Sequence, residues 1–355
     1  MSFKYNFWRR LQLSRDIGID LGTANTIIHV SGKGVVLDEP SVVAIDLETG
    51  NPMAVGEDAK LMLGRTPGNI KAVRPLKDGV IADFNAAEEM LKTFIKKCNG
   101  GKGILAPRIV IGIPSGVTSV ERKAVREAAL GGAREVYLID EPVAAAIGAS
   151  LPVTEPMGTM IVDIGGGTTD VAVLSLGGTV VSESLRIAGD EINASISNYL
   201  KKNNNMVIGE RTAEKIKITI GSAFPSNDFD NTNMEVRGLH LSSGLPRSIN
   251  LTSGEIREAM YEPLSKIIDS LKRTLERTPP ELAADIVQNG IMLAGGGALI
   301  RGINDLVTKE TGIFAHTADA PLLSVVNGCG QVLDNFKKLQ RVTDTVDPGS
   351  NSIRN

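Results

Sequence analysis

The chain is poor in the residues that carry several common chemistries. Among its 355 residues are two cysteines, Cys98 and Cys329, three histidines and one tryptophan. Two distant cysteines make neither a disulfide framework nor a metal-ligand spacing, and point to a reducing cytosol. Three histidines argue against a His-rich metal site. Aromatic residues make up 4% of the chain, too few for a base-stacking platform. A formal net charge of −3 gives no reason to expect nucleic acid as the main partner. No apolar run approaches the roughly 20 residues that span a bilayer. What is present is 42% hydrophobic and 22% charged content, the balance of a globular protein, at a length that suits two domains.

Glycine is placed where it matters. The apolar run Met160 to Val162 predicts a buried strand that ends in Asp163-Ile164-Gly165-Gly166-Gly167. A second β-rich run, Val171 to Leu174, follows, with Thr168 and Thr169 between them. Such a hairpin has a glycine tip, where backbone N–H groups approach an anion without a Cβ in the way. Asp163 beside that tip makes sense only if a cation accompanies the anion. A polyphosphate with a bound metal is the expected occupant.

The pattern occurs again from Asp16 to Val30, where Asp20 matches Asp163, Gly22 matches Gly165, Asn25 matches Thr168 and Thr26 matches Thr169. Either copy alone reads equally well as an ordinary Gly-rich turn. The matched pair points instead to a duplicated fold, two domains gripping one nucleotide from opposite sides. Competing nucleotide signatures are missing: no G-x-x-x-x-G-K-[ST] occurs, and neither glycine cluster completes G-x-G-x-x-G.

In chain order, Met1 to Arg15 carries four cations, no acids and the tryptophan. Phe3, Phe7 and Leu11 stack at helical spacing with Trp8 beside them. A short basic amphipathic helix of this kind fits a membrane interface, or else the segment is a frayed terminus or a helix docked on its own domain. Asp83 or Asn85 can cap a helix whose stripe is Met90, Leu91, Phe94 and Ile95. Ile104 and Leu105 then sit among glycine and lysine in an exposed loop, which by itself needs no explanation. A helix from about Ser119 to Leu130 should end at Gly131-Gly132 in the usual glycine C′ manner. Glu141-Pro142 follows the strand Val136 to Ile139, placing Glu141 past a strand's carboxyl end, where open α/β sheets bind ligands. Helix-dipole stabilisation of Glu141 fits equally. Glu210, Glu214 and Lys217 line one side of a helix, as a solvated charged face or as a ribose and adenine contact. Gly295 to Leu299 is a third glycine-rich turn leading into a helix. Arg341 to Asn355 reads as a disordered polar tail.

Together these strings make the chain resemble the actin, sugar-kinase and Hsp70 ATPase superfamily, and within it the MreB family of bacterial actin homologues. The resemblance runs from Asp16 to about Gln340, through Ile19 to Thr26, Gly64 to Gly68, Arg74 to Asp83, Asp140 to Gly148, Asp163 to Thr169, Gly209 to Lys217 and Leu293 to Leu299. It implies an α/β, actin-like (ribonuclease H-like) duplicated two-domain ATPase fold with nucleotide in the interdomain cleft. Residues 16–154, completed by 328–340, would form the first domain. Residues 155–327 would form the second, with an insertion at about 190–254. It further implies an ATP-dependent, membrane-associated filament protein that determines rod cell shape by organising cell-wall elongation. Its partners would be copies of itself, the inner face of the cytoplasmic membrane and transmembrane proteins of the elongation machinery.

Carried over by residue, Asp20 and Asp163 would hold Mg2+, and Thr23, Ala24, Asn25, Gly165, Gly166, Gly167 and Thr168 would cradle phosphates. Glu214, Lys215, Ile216 and Lys217 would reach ribose and base. Gly295, Gly296, Gly297 and Ala298 would flank the adenosine, and Glu141 would orient the attacking water. Phe3, Phe7, Trp8 and Leu11, with Ile104 and Leu105, match the family's membrane-binding segment and loop. The departure is Cys329, in Asn327-Gly-Cys-Gly330, where the family commonly has glycine. A metabolite kinase of the same superfamily is the alternative; it needs a base aimed at an acceptor hydroxyl, and no second polar motif supplies one. A chaperone ATPase would need a further peptide-binding domain.

The membrane expectation is testable directly. Changing Phe3, Phe7, Trp8, Ile104 and Leu105 together to serine should abolish most sedimentation with anionic liposomes. The combined change is needed because polymer avidity masks the loss of one weak anchor. Wild-type pelleting by that variant would remove the membrane reading.

Overall fold

Two strands lack the in–out alternation of a half-exposed sheet: Ile17–Leu21 and Thr159–Ile164 are apolar almost throughout. That is what a strand covered on both faces requires, and each lies at the centre of a five-stranded sheet. The computed structural model describes residues 15–99, 106–228, 230–339 and 342–343. Phe3, Phe7, Trp8, Leu11, Ile104 and Leu105 lie outside the described residues.

The chain divides into two compact units, one comprising the chain up to Ser150 and again from Val325, the other Leu151–Ser324. The first unit's sheet runs in the order Glu135–Asp140, Arg108–Ile113, Ile17–Leu21, Asn25–Val30, Gly34–Pro40. The first three strands are parallel and the last two pairings antiparallel. Asp20 and Ile139 stand in register with Gly112 on either side. The carboxyl ends of these three strands therefore converge.

Helix Phe84–Asn99 buries Met90, Leu91, Phe94 and Ile95. Of its two candidate caps, Asp83 takes the role, its Oδ1 accepting from the Ala86 amide at 3.1 Å. Helix Ser119–Leu130 starts in a capping box between Thr118 and Glu121. Its end differs from expectation: Gly131 has φ −58°, not a left-handed value. A Cβ there would come within 2.7 Å of Lys92 Cε on the neighbouring helix, a contact that the flexible lysine can yield by moving. Helix Glu141–Gly148 is almost wholly buried. Helix Ser324–Asp334 packs on it so closely that a Cβ at Gly328 would strike the Ala144 backbone.

The second unit repeats the plan. Its sheet order is Gly178–Leu185, Thr169–Ser175, Thr159–Ile164, Ile291–Ala294, Ala315–Thr317, with two antiparallel pairings and then two parallel ones. Helices Gly189–Asn203, Glu210–Ile220 and Ser253–Glu276 contribute Ile192, Ile196, Leu200, Ile216, Met260 and Leu264 to one core. A three-stranded sheet of Met206–Val207, Asn233–His240 and Pro246–Thr252 completes this unit's inserted part.

The long helix Ser253–Glu276 contains Pro263, which has no N–H for the carbonyl four residues back. That carbonyl, on Ala259, instead accepts a hydrogen bond from the Ser195 hydroxyl at 2.6 Å. The proline's missing bond thus becomes a contact between two helices. Ser195→Ala should lower stability by about 1 kcal/mol, and much less in a Pro263→Ala background, where the helix can make its own bond. Urea unfolding of the four proteins in a double-mutant cycle measures this; an additive result would show that the two residues are uncoupled.

Candidate functional site

In the second unit the hairpin tip is closed by the Gly165 amide donating to Thr168 O at 2.9 Å. The carbonyls of Gly165 and Gly166 accept from the Gly189 amide (3.1 Å) and the Asp190 amide (2.8 Å). These are the first amides of helix Gly189–Asn203, and the hairpin itself satisfies them. Among the described residues, the N–H groups of Gly166, Gly167 and Thr168 have no acceptor. Successive unpaired backbone donors at a turn form an anion-binding concavity. Asp163, buried, stands at the end of the strand that leads into it.

Two further elements come against this tip. Lys217 Nζ donates to Gly189 O at 3.0 Å from helix Glu210–Ile220. A Cβ on Gly189 would lie 3.2 Å from both that Nζ and Gly165 O, a tight approach in which any side chain would have to displace a neighbour slightly. Glu214, one turn before Lys217, is half-buried; Lys215 is exposed, and Ile216 is buried in the core. The third glycine turn arrives through the strand pairing, with Ala294 in register with Asp163. Gly295 has φ +75°, and a Cβ there would strike Asp163 Oδ1 and Ile164 O. Gly296 to Ala298 follow in a single 3-10 turn. Asp163, Gly165 to Thr168, Lys217 and Gly295 to Ala298 therefore lie together at one end of one sheet.

In the first unit Asp20 takes the corresponding strand end, half-buried. Burial first, and then the charge of Asp38, push its carboxyl up to about 7. Asn25 Nδ2 donates to Asp38 Oδ1 at 2.8 Å. The turn is held from outside the hairpin: the Ser41 hydroxyl donates to Gly22 O (2.6 Å) and its amide to Ala24 O (3.0 Å). The Gly79 amide donates to Thr23 Oγ1 at 3.1 Å. The N–H groups of Thr23 and Ala24 have no acceptor among the described residues, as at the other tip.

Glu141, 8% exposed, begins its helix directly after the strand. A Cβ on Gly112 would lie 3.4 Å from Glu141 Cγ, and Gly112 is also the register partner of Asp20. The two carboxylates thus flank one glycine. Cys329 lies beneath, its Sγ 3.7 Å from Ile19 O. Burial and the charges of Asp20 and Glu141 push the thiol up, so it stays neutral.

This chemistry fits a magnesium–polyphosphate ligand. A carboxylate whose charge is disfavoured by burial and by a second carboxylate gains when a divalent cation binds. No group of three His, Cys, Asp or Glu side chains among the described residues could hold a metal, so a cation here would draw ligands from phosphate and water. Sequence reasoning missed Gly189, Asp190, Asp38 and Ser41. A glycine directly before an amphipathic run signals the first. Asp190 follows it at the same helix start, whereas Asp38 and Ser41 act across the sheet, where no local pattern marks them.

Two strand–Asp–glycine hairpins, each central in a five-stranded sheet of matching order, define an actin-like α/β fold. The model of the MreB/Mbl protein family matches residues 14–341, and the chain belongs to that family. It is 54% identical to the cell shape-determining protein MreB of Escherichia coli (strain K12) over 92% of this chain and 95% of that one. It is 52% identical to the cell shape-determining protein Mbl of Bacillus subtilis (strain 168), over 92% and 98%. Among solved structures it is similar to MreB5 of Spiroplasma citri bound to ADP, with TM-score 0.87 and 40% identity over 92% of this chain and 98% of that one. A MamK double helical filament shares the fold, with TM-score 0.76 and 23% identity over 90% and 98%.

Proposed function

We propose that this chain is an ATP-driven, actin-like cytoskeletal protein that polymerises with copies of itself and sets rod cell shape by organising cell-wall elongation. The observation that carries the nucleotide reading is the pair of unpaired backbone donor rows, each beside a strand-end carboxylate. Relatives named for cell shape, and the ADP- and AMPPNP-bound forms of the Spiroplasma protein, support it.

In this reading the amides of Gly166, Gly167 and Thr168, and of Thr23 and Ala24, bind phosphate oxygens, with Asn25 and Gly165 shaping the two turns. Asp20 and Asp163 are the carboxylates that would hold Mg2+. The ion, when bound, neutralises phosphate charge. Glu214 and Lys217, with Lys215 and Ile216 on the same helix, and Gly295 to Ala298 form the ribose and adenine end. Glu141 aligns a water for attack; its own charge makes it a poor phosphate ligand. Phosphoryl transfer depends mainly on such positioning and charge stabilisation. No helix among the described residues is long and apolar enough to cross a membrane. In this reading Phe3, Phe7, Trp8 and Leu11, with Ile104 and Leu105, make the contact with the inner face of the membrane. Transmembrane proteins of the elongation machinery are the further partners.

Asp163→Asn and Asp163→Ala should weaken Mg-ATP binding by at least about tenfold, the scale of a lost charged contact, while the protein stays folded. Calorimetry with Mg2+ checks this, and unchanged affinity in a folded variant would sink the site. Glu141→Ala should keep ATP and Mg2+ binding yet release phosphate about tenfold or more slowly, as when a positioned base is lost. Wild-type turnover would reduce Glu141 to a helix-end charge, and loss of ATP binding would make it structural.

A further inference from the structure

Arg257 lies outside every residue assigned above, yet its guanidinium gathers a loop that joins two parts of the second unit's site. Helix Ser253–Glu276 starts at a fixed point, in a capping box between Thr252 and Glu255, and Arg257 follows in its first turns. Nη1 donates to Asp230 Oδ1 (2.5 Å), Ser222 Oγ (3.1 Å) and Phe224 O (3.4 Å), and Nη2 donates to Asp230 Oδ2 (3.2 Å). A forked pair of bonds to one carboxylate fixes the guanidinium plane as well as its charge. Ser222 is fully buried and also lies 3.1 Å from the Ser253 hydroxyl.

The loop so held connects two separate elements. On one side, the Gly221 amide donates to Lys217 O at 3.0 Å and ends helix Glu210–Ile220 one turn after Lys217. A Cβ at Gly221 would strike that same carbonyl and lie 3.1 Å from Met260 Sδ, so the loop leaves the helix by one narrow route. On the other side, Ser222 pairs with Arg301 in a parallel bridge, and the Ala223 amide donates to Arg301 O at 2.7 Å. Gly302 has φ +71°, and a Cβ there would lie 2.8 Å from Phe224 Cβ. Arg301 comes three residues after Ala298, the end of the glycine turn Gly295 to Ala298. One short loop therefore sets the distance between the Glu214–Lys217 helix and that turn.

We infer that Arg257, with Asp230, is a positioning residue for the nucleoside end of the site: it fixes the loop at Ser222 and Phe224 and thereby the spacing that admits the base and ribose. This rests on the nucleotide reading above. It makes a separate demand, because the phosphate-binding tip at Gly165 to Thr168 is held by Gly189 and Asp190 and not by this loop.

The test uses the full chain with Mg2+ and etheno-ATP, whose base fluorescence reports its own seating. Arg257→Gln should weaken binding about tenfold, the scale of charged hydrogen bonds lost. At saturating ligand its bound base should also be more open to acrylamide quenching than in wild type. Arg257→Lys should recover part of both. If Arg257→Gln does not fold, Arg257→Lys and Asp230→Asn carry the same comparison. A bound base as protected as in wild type, whatever the affinity, overturns the inference and leaves Arg257 a stabilising contact. Failure of the wild-type chain to bind etheno-ATP or ATP would instead overturn the nucleotide reading on which it stands.

Discussion

The contact on which the second unit's site depends is the approach of the Gly295 backbone to the Asp163 carboxylate. Gly295 directly follows the strand Ile291–Ala294, which runs parallel to the strand of Asp163, and the register of Ala294 with Asp163 delivers Gly295 to the carboxylate's side. No side chain fits between them: a Cβ would strike Asp163 Oδ1, and Gly297 is under the same restriction from Ile164. With φ at +75°, Gly295 also adopts a backbone that other residues take only under strain. Parallel pairing, a turn and a buried acid are thus one constraint.

The first unit meets the same demand with different parts. Its central strand pairs in parallel with a neighbour that places Gly112, rather than a glycine turn, beside Asp20. The space this leaves is filled by Glu141 and by Val325, whose Cγ1 would be 2.7 Å from a Cβ on Gly112. Duplication therefore preserved the strand-end carboxylate and the open amides while the neighbouring position diverged. One copy presents a second carboxylate beside the first, and the other presents a glycine turn. In the proposed reading the water-orienting Glu141 lies in the unit that sets two carboxylates around one glycine, and the adenosine-flanking turn in the unit where a glycine turn abuts Asp163.

Much of this was legible in the sequence because it is local. Asp163 followed by three glycines, and Asp20 followed by Gly22, announce both the hairpin and its chemistry within ten residues. Helix starts were equally readable, since Asp83, one of the two candidate caps, takes that role for helix Phe84–Asn99. The hidden parts act between distant segments. Ser41 reaches Gly22 and Ala24 from another strand, Gly79 reaches Thr23 across 56 positions, and Asp38 adds its charge to Asp20 through a sheet neighbour. Gly131 departs from its local signature, which suggests a left-handed cap, by keeping an ordinary right-handed φ of −58°.

Cys329, the departure singled out from the sequence, shows how such a change is absorbed. Its Cβ would lie 2.9 Å from a Cβ on Gly18, so the two positions share one small volume at the base of the central strand. Glycine at 18 is what leaves room for a side chain at 329. One residue on, Gly330 lies flat against the His29 ring, where a Cβ would come within 2.6 Å. The returning helix Ser324–Asp334 therefore presses on the strand pair that carries Asp20 through two small positions, Cys329 and Gly330, while Gly328 packs on helix Glu141–Gly148, and cysteine is the one among them with a side chain. A thiol is tolerated there because it is compact, nearly apolar and kept neutral by burial and by the two carboxylates above it. A serine of similar size would bring a stronger donor beside Ile19 O, and a larger side chain would push the helix off the strand that positions Asp20.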